Sequence, residues 1–181
     1  MSGELFKLAE GIRRCTSCSL WKKRTLAVPG EGENNSKIMI IGEAPGTEED
    51  RQGLPFVGKS GIVFDEIMKI AGISRKDVFI TGAVKCHPPK NRIPSSKELK
   101  TCRELWLDNQ IDIVKPKLII ILGKSALFSL IGDGKLAELH SKVISKKYFV
   151  TYHPSAAMRF PSIKKEMEND FRILEKLLKK I

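Results

Sequence analysis

Long hydrophobic runs are missing from this 181-residue sequence. Its apolar stretches, such as Ile119 to Leu122 (IIIL), fall far short of the roughly 20 residues a membrane-spanning helix needs. The N-terminus has neither an apolar core nor a small-residue cleavage site of the kind a signal peptide carries. A cytoplasmic location, with no membrane partner, is therefore expected. Acidic residues are the scarcer charge: 21 Asp and Glu face 32 Lys and Arg, for a net +11. That excess suits either a lysine-rich solvated surface or a polyanionic partner, whose phosphates release counterions when lysines neutralise them. Charge alone does not choose between nucleic acid and an acidic protein. Glutamine is nearly absent, with two residues among many Ile, Lys and Glu. Such a bias fits a thermophile, in which ion-pair networks cost less desolvation. There is no internal repeat and no low-complexity linker. With 41% hydrophobic residues, the chain has the material for one folded domain over 1–181.

Apolar spacing divides that domain into alternating elements. Leu5, Leu8 and Ile12 share one face of a helix predicted over 4–14. Residues 37–42 and 117–122 read as buried strands that each end at a glycine, and 78–84 as another. A helix over 61–71 has Ser60 as its cap and Gly72 as its stop. Ser95 with Glu98 forms a capping-box pattern that opens a helix running to about Val114, closed by Pro116. The string KSALFSLI after Gly123 predicts a further helix, residues 142–145 and 148–152 a hairpin. Ile163, Met167, Phe171, Leu174, Leu178 and Ile181 recur at helical spacing in the tail. Strands alternating with helices imply an α/β fold whose parallel sheet is covered on both faces. In such sheets ligands bind beyond the carboxyl ends of the strands. The unusual segments all follow strands: Gly42 to Gly46, Gly82 to Asn91, Gly123 to Ser125 and His153 to Arg159. Four loops are expected to meet at one edge.

The four cysteines are Cys15, Cys18, Cys86 and Cys102. Cys15 and Cys18 form a C-x-x-C, which lets two thiolates of one turn grip a single metal centre. Cys86 lies in a proline-rich loop and Cys102 at the start of the next helix. Four thiolates suit zinc or an iron–sulfur cluster, and spacing does not separate the two. Two disulfides or four independent thiols are the plainer alternatives. A metal here would tie the N-terminus to the 86–102 segment and bring along Arg13, Arg14, Lys22, Lys23 and Arg24, a group of charges placed for phosphate contacts.

The loops carry more specific strings. Gly42-Glu43-Ala44-Pro45-Gly46 continues to Glu49-Asp50 and Gly53-Leu54-Pro55-Phe56-Val57-Gly58. Its glycines allow close backbone approach, and Phe56 offers a flat face for a base, or else packs into the core beneath an ordinary loop. Taken in order, GEAPG, ED, G-x-PFVGK-x-G, VKC-x-PP-x-NR-x-P, the strand ending LG and T-x-HP-x-A-x-x-R closely resemble family 4 uracil-DNA glycosylases, the thermostable iron–sulfur branch of that superfamily. The resemblance spans nearly the whole chain. It implies a three-layer α/β/α fold around a central parallel four-stranded sheet, and a monomer that excises uracil from single- or double-stranded DNA in base-excision repair.

The resemblance also implies residue roles. Cys15, Cys18, Cys86 and Cys102 would ligate a structural [4Fe–4S] cluster. Phe56 would stack on the flipped base, with Gly42, Gly46 and Gly82 beside it. Glu43 and Asp50 would line the pocket near the sugar and the attacking water, and His153 would hold uracil O2 as the glycosidic bond breaks. That last role is chemically sound, because a donor aimed at O2 stabilises charge that develops only in the transition state. Ser155, with amides near Gly46, would hold phosphates, Arg159 would bind DNA, and Met158 or a neighbour would fill the gap left in the stack. Two positions depart from what the superfamily leads one to expect. Ala44 stands where other branches place a catalytic acid, and Gly82 where the family has an asparagine reading uracil O4 and N3–H. Without that side chain a backbone amide, a water or His87 would have to serve. The alternative is a DNA-binding iron–sulfur protein with altered specificity or little catalysis. Installing Asn at position 82 is accordingly expected to sharpen discrimination.

Overall fold

The computed structural model describes residues 3–179; Ile181, the last apolar position of the tail, lies outside the described residues. Its centre is a five-stranded sheet in the order β2-β1-β3-β5-β4. The strands are β1 (Ile38–Gly42), β2 (Val78–Gly82), β3 (Leu118–Leu122), β4 (Val143–Ile144) and β5 (Tyr148–Thr151). Four run parallel, as expected, and β4 adds a two-residue antiparallel edge through its hairpin with β5. The four-stranded, all-parallel count is thereby corrected to a mixed five. The hairpin is part of the sheet because Val143 and Ile144 pair with Phe149 and Tyr148.

Both faces of the sheet are buried, so the strands read as unbroken apolar runs. Alternate residues nevertheless divide cleanly. Met39, Ile41, Phe79, Ile119, Ile121 and Val150 face one core, and Ile40, Val78, Ile80, Ile120, Leu122 and Phe149 face the other. Leu5 of α1 (Gly3–Arg14), Leu107 and Ile111 of the 96–114 helix and Leu127 of α6 (Lys124–Leu130) cover the first. Phe64 and Ile67 of α3 (Lys59–Ile70), Ala157 of α8 (Pro154–Arg159) and Met167, Phe171 and Leu174 of α9 (Pro161–Leu178) cover the second. Each of the Leu, Ile, Phe and Met side chains contributes about 1.5–3 kcal/mol on burial, so these two layers hold the helices in place.

Most helix signals act where expected, with two exceptions. Ser95 caps α4 (Ser96–Cys102) in a full capping box with Glu98, and Lys115 ends α5 (Asp108–Val114) with φ of 51° before Pro116. Between α4 and α5 the helix widens into a π-helical segment, Arg103–Leu107, which periodicity did not foresee. Helix α3 starts at Lys59 with Gly58 as its N-cap, two residues earlier than a Ser60 cap would set it. The segment after β1 holds a short helix, α2 (Thr47–Gln52), inside what reads as loop, and α7 (Leu136–Leu139) precedes β4. Strand β1 sits between β2 and β3, so the chain goes to one side of it for β2 and then crosses to the other side for β3. The crevice where loops part lies at the carboxyl end of this strand.

Candidate active site

At that crevice the register places Gly42 directly beside Gly82. Together with the loops after β1, β2 and β5 they line a cavity of about 330 Å³, whose walls include Glu43, Gly46, Phe56, Asn91, His153, Ser155 and Arg159. The expected convergence therefore holds for those residues. The loop after β3 contributes indirectly: buried Ser125 donates from Oγ to Glu43 Oε2 at 2.5 Å, fixing that carboxylate at the wall.

His153 caps α8, with Pro154 in the first helical position where its missing N–H costs nothing. The Ser155 amide donates to His153 Nδ1 at 3.2 Å, and Ser155 Oγ lies 2.8 Å from the same nitrogen. A backbone N–H can only donate, so Nδ1 is the acceptor and the ring proton of the neutral imidazole sits on Nε2. Burial pushes the His153 pKa down to about 4, which keeps the ring neutral at ordinary pH. Nε2 would lie 3.6 Å from a Cβ built on Gly42, so it points at the end of β1 inside the cavity. The ring of Phe56 stands 5.8 Å from that of His153. Phe56 is also a core residue, with Phe64 stacked on it at 4.4 Å and 18°; the ring that lines the cavity is packed from behind. Its Cζ would come within 2.7 Å of a Gly42 Cβ, so the glycine is required by close approach.

The loop that carries Phe56 is organised by two residues that pattern reading passed over. Buried Glu49 accepts from the amides of Gly46 (3.0 Å), Val57 (2.9 Å) and Gly58 (2.7 Å). Arg75 donates to the carbonyls of Pro55 (3.1 Å) and Phe56 (2.5 Å) while pairing with Glu31 and Asp65. That clamp holds Phe56 at φ of 52°, a left-handed conformation a phenylalanine rarely adopts. The string Gly53 to Ser60 has the spacing G-x-x-x-x-G-K-S of a phosphate-binding loop. It follows helix α2 rather than a strand, and Glu49 takes two of the amides a phosphate would use.

Residues 29–177 match the family model described as the uracil DNA glycosylase superfamily. The type-4 uracil-DNA glycosylase of Sulfurisphaera tokodaii is 42% identical over 186 residues, covering 96% of this chain and 84% of that protein. The type-4 enzyme of Pyrobaculum aerophilum is also 42% identical, over 92% of this chain and 91% of its own. That of Thermotoga maritima is 40% identical, over 84% and 82%. The chain belongs to the type-4 branch of the uracil-DNA glycosylase superfamily.

Within this type-4 chain some site residues stand elsewhere than expected. Asp50 is off the cavity wall: its buried carboxylate accepts from the Thr25 amide at 2.9 and 3.0 Å, which ties α2 to the N-terminal segment. Met158 is exposed and lines no part of the cavity. Ser155, expected on a phosphate, directs its amide and hydroxyl to His153 although it lines the cavity. Asn91, which sequence reading left unassigned, reaches the wall in a left-handed turn (φ 54°), with Oδ1 2.9 Å from His87 Nε2. Its Oδ1 would lie 4.0 Å from a Cβ built on Gly46.

The cysteines are all free, Cys86 and Cys102 being buried. They share one neighbourhood, since Cys18 acts electrostatically on Cys86 and Cys102, and Cys15 on Cys18 and Cys86. Among the described residues no three Cys, His, Asp or Glu side chains converge on a single ion. Several donors face the sulfurs. Arg24 Nη1 reaches Cys86 Sγ at 3.0 Å, Trp106 Nε1 reaches Cys15 Sγ at 3.2 Å from the π-helical segment, and the Lys85 amide bonds Cys102. Burial raises the Cys102 thiol to about 12 and raises Cys18 and Cys86. At Cys15 burial is outweighed by hydrogen bonds from Ser17 and Trp106 and by the Arg24 charge, which lower its pKa. Arg24 is thus engaged with Cys86 and the Arg13 carbonyl, while Lys22 and Lys23 remain exposed for the phosphate contacts expected of that group.

Proposed function

We propose that this protein excises uracil from DNA by hydrolysing its N-glycosidic bond, with His153 as the donor that stabilises the departing base. The observation that carries this reading is the state of His153: a neutral ring, held through Nδ1, whose Nε2–H points into the cavity opposite Phe56. A fixed donor of this kind favours charge that appears on uracil O2 only as the bond breaks. Phe56 supplies the stacking face for a flipped base, and Gly42 and Gly46 let the backbone approach it. Glu43, fixed by Ser125, orients the attacking water. Asp50 acts by anchoring the loop that carries Glu43 rather than by touching substrate. The groups left to read the base edge beside Gly82 are the Asn91 amide and the neighbouring backbone. Arg159, Met158 and the exposed lysines near the cysteines contact DNA.

The four cysteines fit a [4Fe–4S] cluster. Their thiols are soft ligands, and the N–H donors of Arg24, Trp106 and Lys85 aimed at three of the sulfurs are what sulfur bearing negative charge needs. When bound, the cluster supplies a covalent tie between the N-terminal segment and the helix at Cys102, not a step of the reaction. A single domain over 1–181, working as a cytoplasmic monomer on DNA, completes the reading. No helix among the described residues is long and apolar enough to cross a membrane.

Release of free uracil from a uracil-containing oligonucleotide, leaving an alkali-labile abasic site, tests the activity. Tight DNA binding with no base released would instead leave a DNA-binding member of the fold.

A further inference from the structure

Lys85 is among the most buried residues of the chain, 1% exposed, and has no place in the chemistry above. Its Nζ donates to Thr81 Oγ1 at 2.7 Å, Gly82 O at 2.7 Å and Gln110 Oε1 at 2.6 Å, which uses all three of its protons. The Gln110 amide is held for this purpose, since its Nε2 donates to Pro29 O at 2.6 Å. All three acceptors are neutral. Among the described residues no carboxylate pairs with this ammonium group, and a buried charge without an opposite one is costly. The ionisable groups that act on it are the sulfurs of Cys86 and Cys102. The residue touches that side directly, because its own amide donates to Cys102. On the other side, Thr81 and Gly82 belong to the cavity wall.

We propose that Lys85 is a positioning residue shared by the metal centre and the base pocket: its ammonium group offsets the negative charge of a cysteine-bound iron–sulfur cluster while its hydrogen bonds hold Thr81 and Gly82 in the pocket wall. The inference rests on the cluster reading given above. It accounts for a cation with no carboxylate partner, since four thiolates leave such a cluster anionic. It also gives the cluster a physical link to the base, one residue long, in place of a remote structural role. The link is direct, because Gly82, whose carbonyl Lys85 grips, is itself a residue of the wall.

The test compares anaerobically purified wild type with Lys85→Met, Lys85→Arg and Gln110→Glu. For each, iron content, the rate of visible bleaching under an iron chelator, the midpoint potential of the cluster and KM for a uracil-containing oligonucleotide are measured. Loss of the cation disfavours the more negative, reduced cluster, so Lys85→Met should lower the midpoint potential and bleach several-fold faster. Its KM should rise several-fold, more than kcat falls. Lys85→Arg keeps the charge and should stay near wild type in potential. Should Lys85→Met fold poorly, Gln110→Glu neutralises the ammonium in place and should lower the potential with a full iron complement. An unmoved potential, or equal shifts in the Met and Arg variants, overturns the charge role. An unmoved KM overturns the shared role. Wild-type protein free of iron overturns the cluster reading and this inference with it, whereas iron-loaded wild type with unmoved variants overturns this inference alone.

Discussion

In the proposed reaction the side chain that matters most is His153, and its behaviour follows from its contacts with Ser155 and from burial. With Nδ1 accepting from Ser155 N–H, Nε2 donates without having to be charged. His153→Ala should therefore lower single-turnover excision by about a hundredfold, as loss of an oxyanion donor does, while substrate affinity changes little. Equal losses in both would make His153 a structural cap of α8. Its titration gives a second check. The folded value of about 4 lies below the ordinary 6.5, so the unfolded chain takes up the proton first. Stability from this group is complete above about pH 6.5 and is lost as pH falls toward 4. Nitrogen-15 NMR of the imidazole should show protonated Nε2, bare Nδ1 and a midpoint near 4; a midpoint near 6.5 would contradict the burial argument. Gly82 behaves differently from the sequence expectation. It is not left-handed, but a Cβ there would lie 2.8 Å from the Val84 carbonyl. Gly82→Asn should consequently lower the melting temperature and slow excision, where sharper discrimination was expected. A stable, faster Asn variant would show that the loop yields easily.

At the scale of elements, the segment from α2 to the start of α3 is a loop held by one carboxylate. Glu49 satisfies three amides, and a glutamine can accept with only one of its two terminal atoms. Glu49→Gln should therefore cost roughly 1–3 kcal/mol, the penalty for a buried donor left unpaired. It should raise KM by releasing Phe56, and a thermal-melt series with excision kinetics measures both. The 96–114 helix shows what periodicity cannot convey. Its capping box and its end at Val114 were legible in Ser95, Glu98 and Pro116. The π-helical segment was not, because Trp106 is directed by its bond to Cys15, a residue 91 positions earlier. Helix α2 likewise has no apolar residue, and its inward face is acidic: Glu49 and Asp50 are buried on amides supplied by other segments.

For the whole molecule, the +11 charge predicts that affinity for uracil-free DNA falls steeply with salt, since each neutralised phosphate releases counterions. Affinity that stays flat from low to physiological salt would mean a basic surface that is merely solvated. The proposed cluster would act at the same scale by joining the segment after α1, the loop after β2 and α4. Cys86→Ser, or removal of the metal with a chelator, should bleach the protein and lower its melting temperature. The buried Cys102 thiol, raised to about 12, would then stay protonated and leave the three segments untied.

The alternation of strands and helices, the sheet edge carrying the site and the ordered family motifs could all be read from the sequence, because each is encoded by neighbours a few residues apart. Burial on both faces wrote β1 and β3 as apolar runs, and capping chemistry marked helix ends. The fifth strand's place in the sheet, the tautomer of His153, the diversion of Asp50 to Thr25 and the capture of Lys85 by Gln110 were decided only by the fold. Each depends on a donor and an acceptor that the chain brings together from distant positions, and a side chain's protonation or direction is set by the partner that burial leaves it.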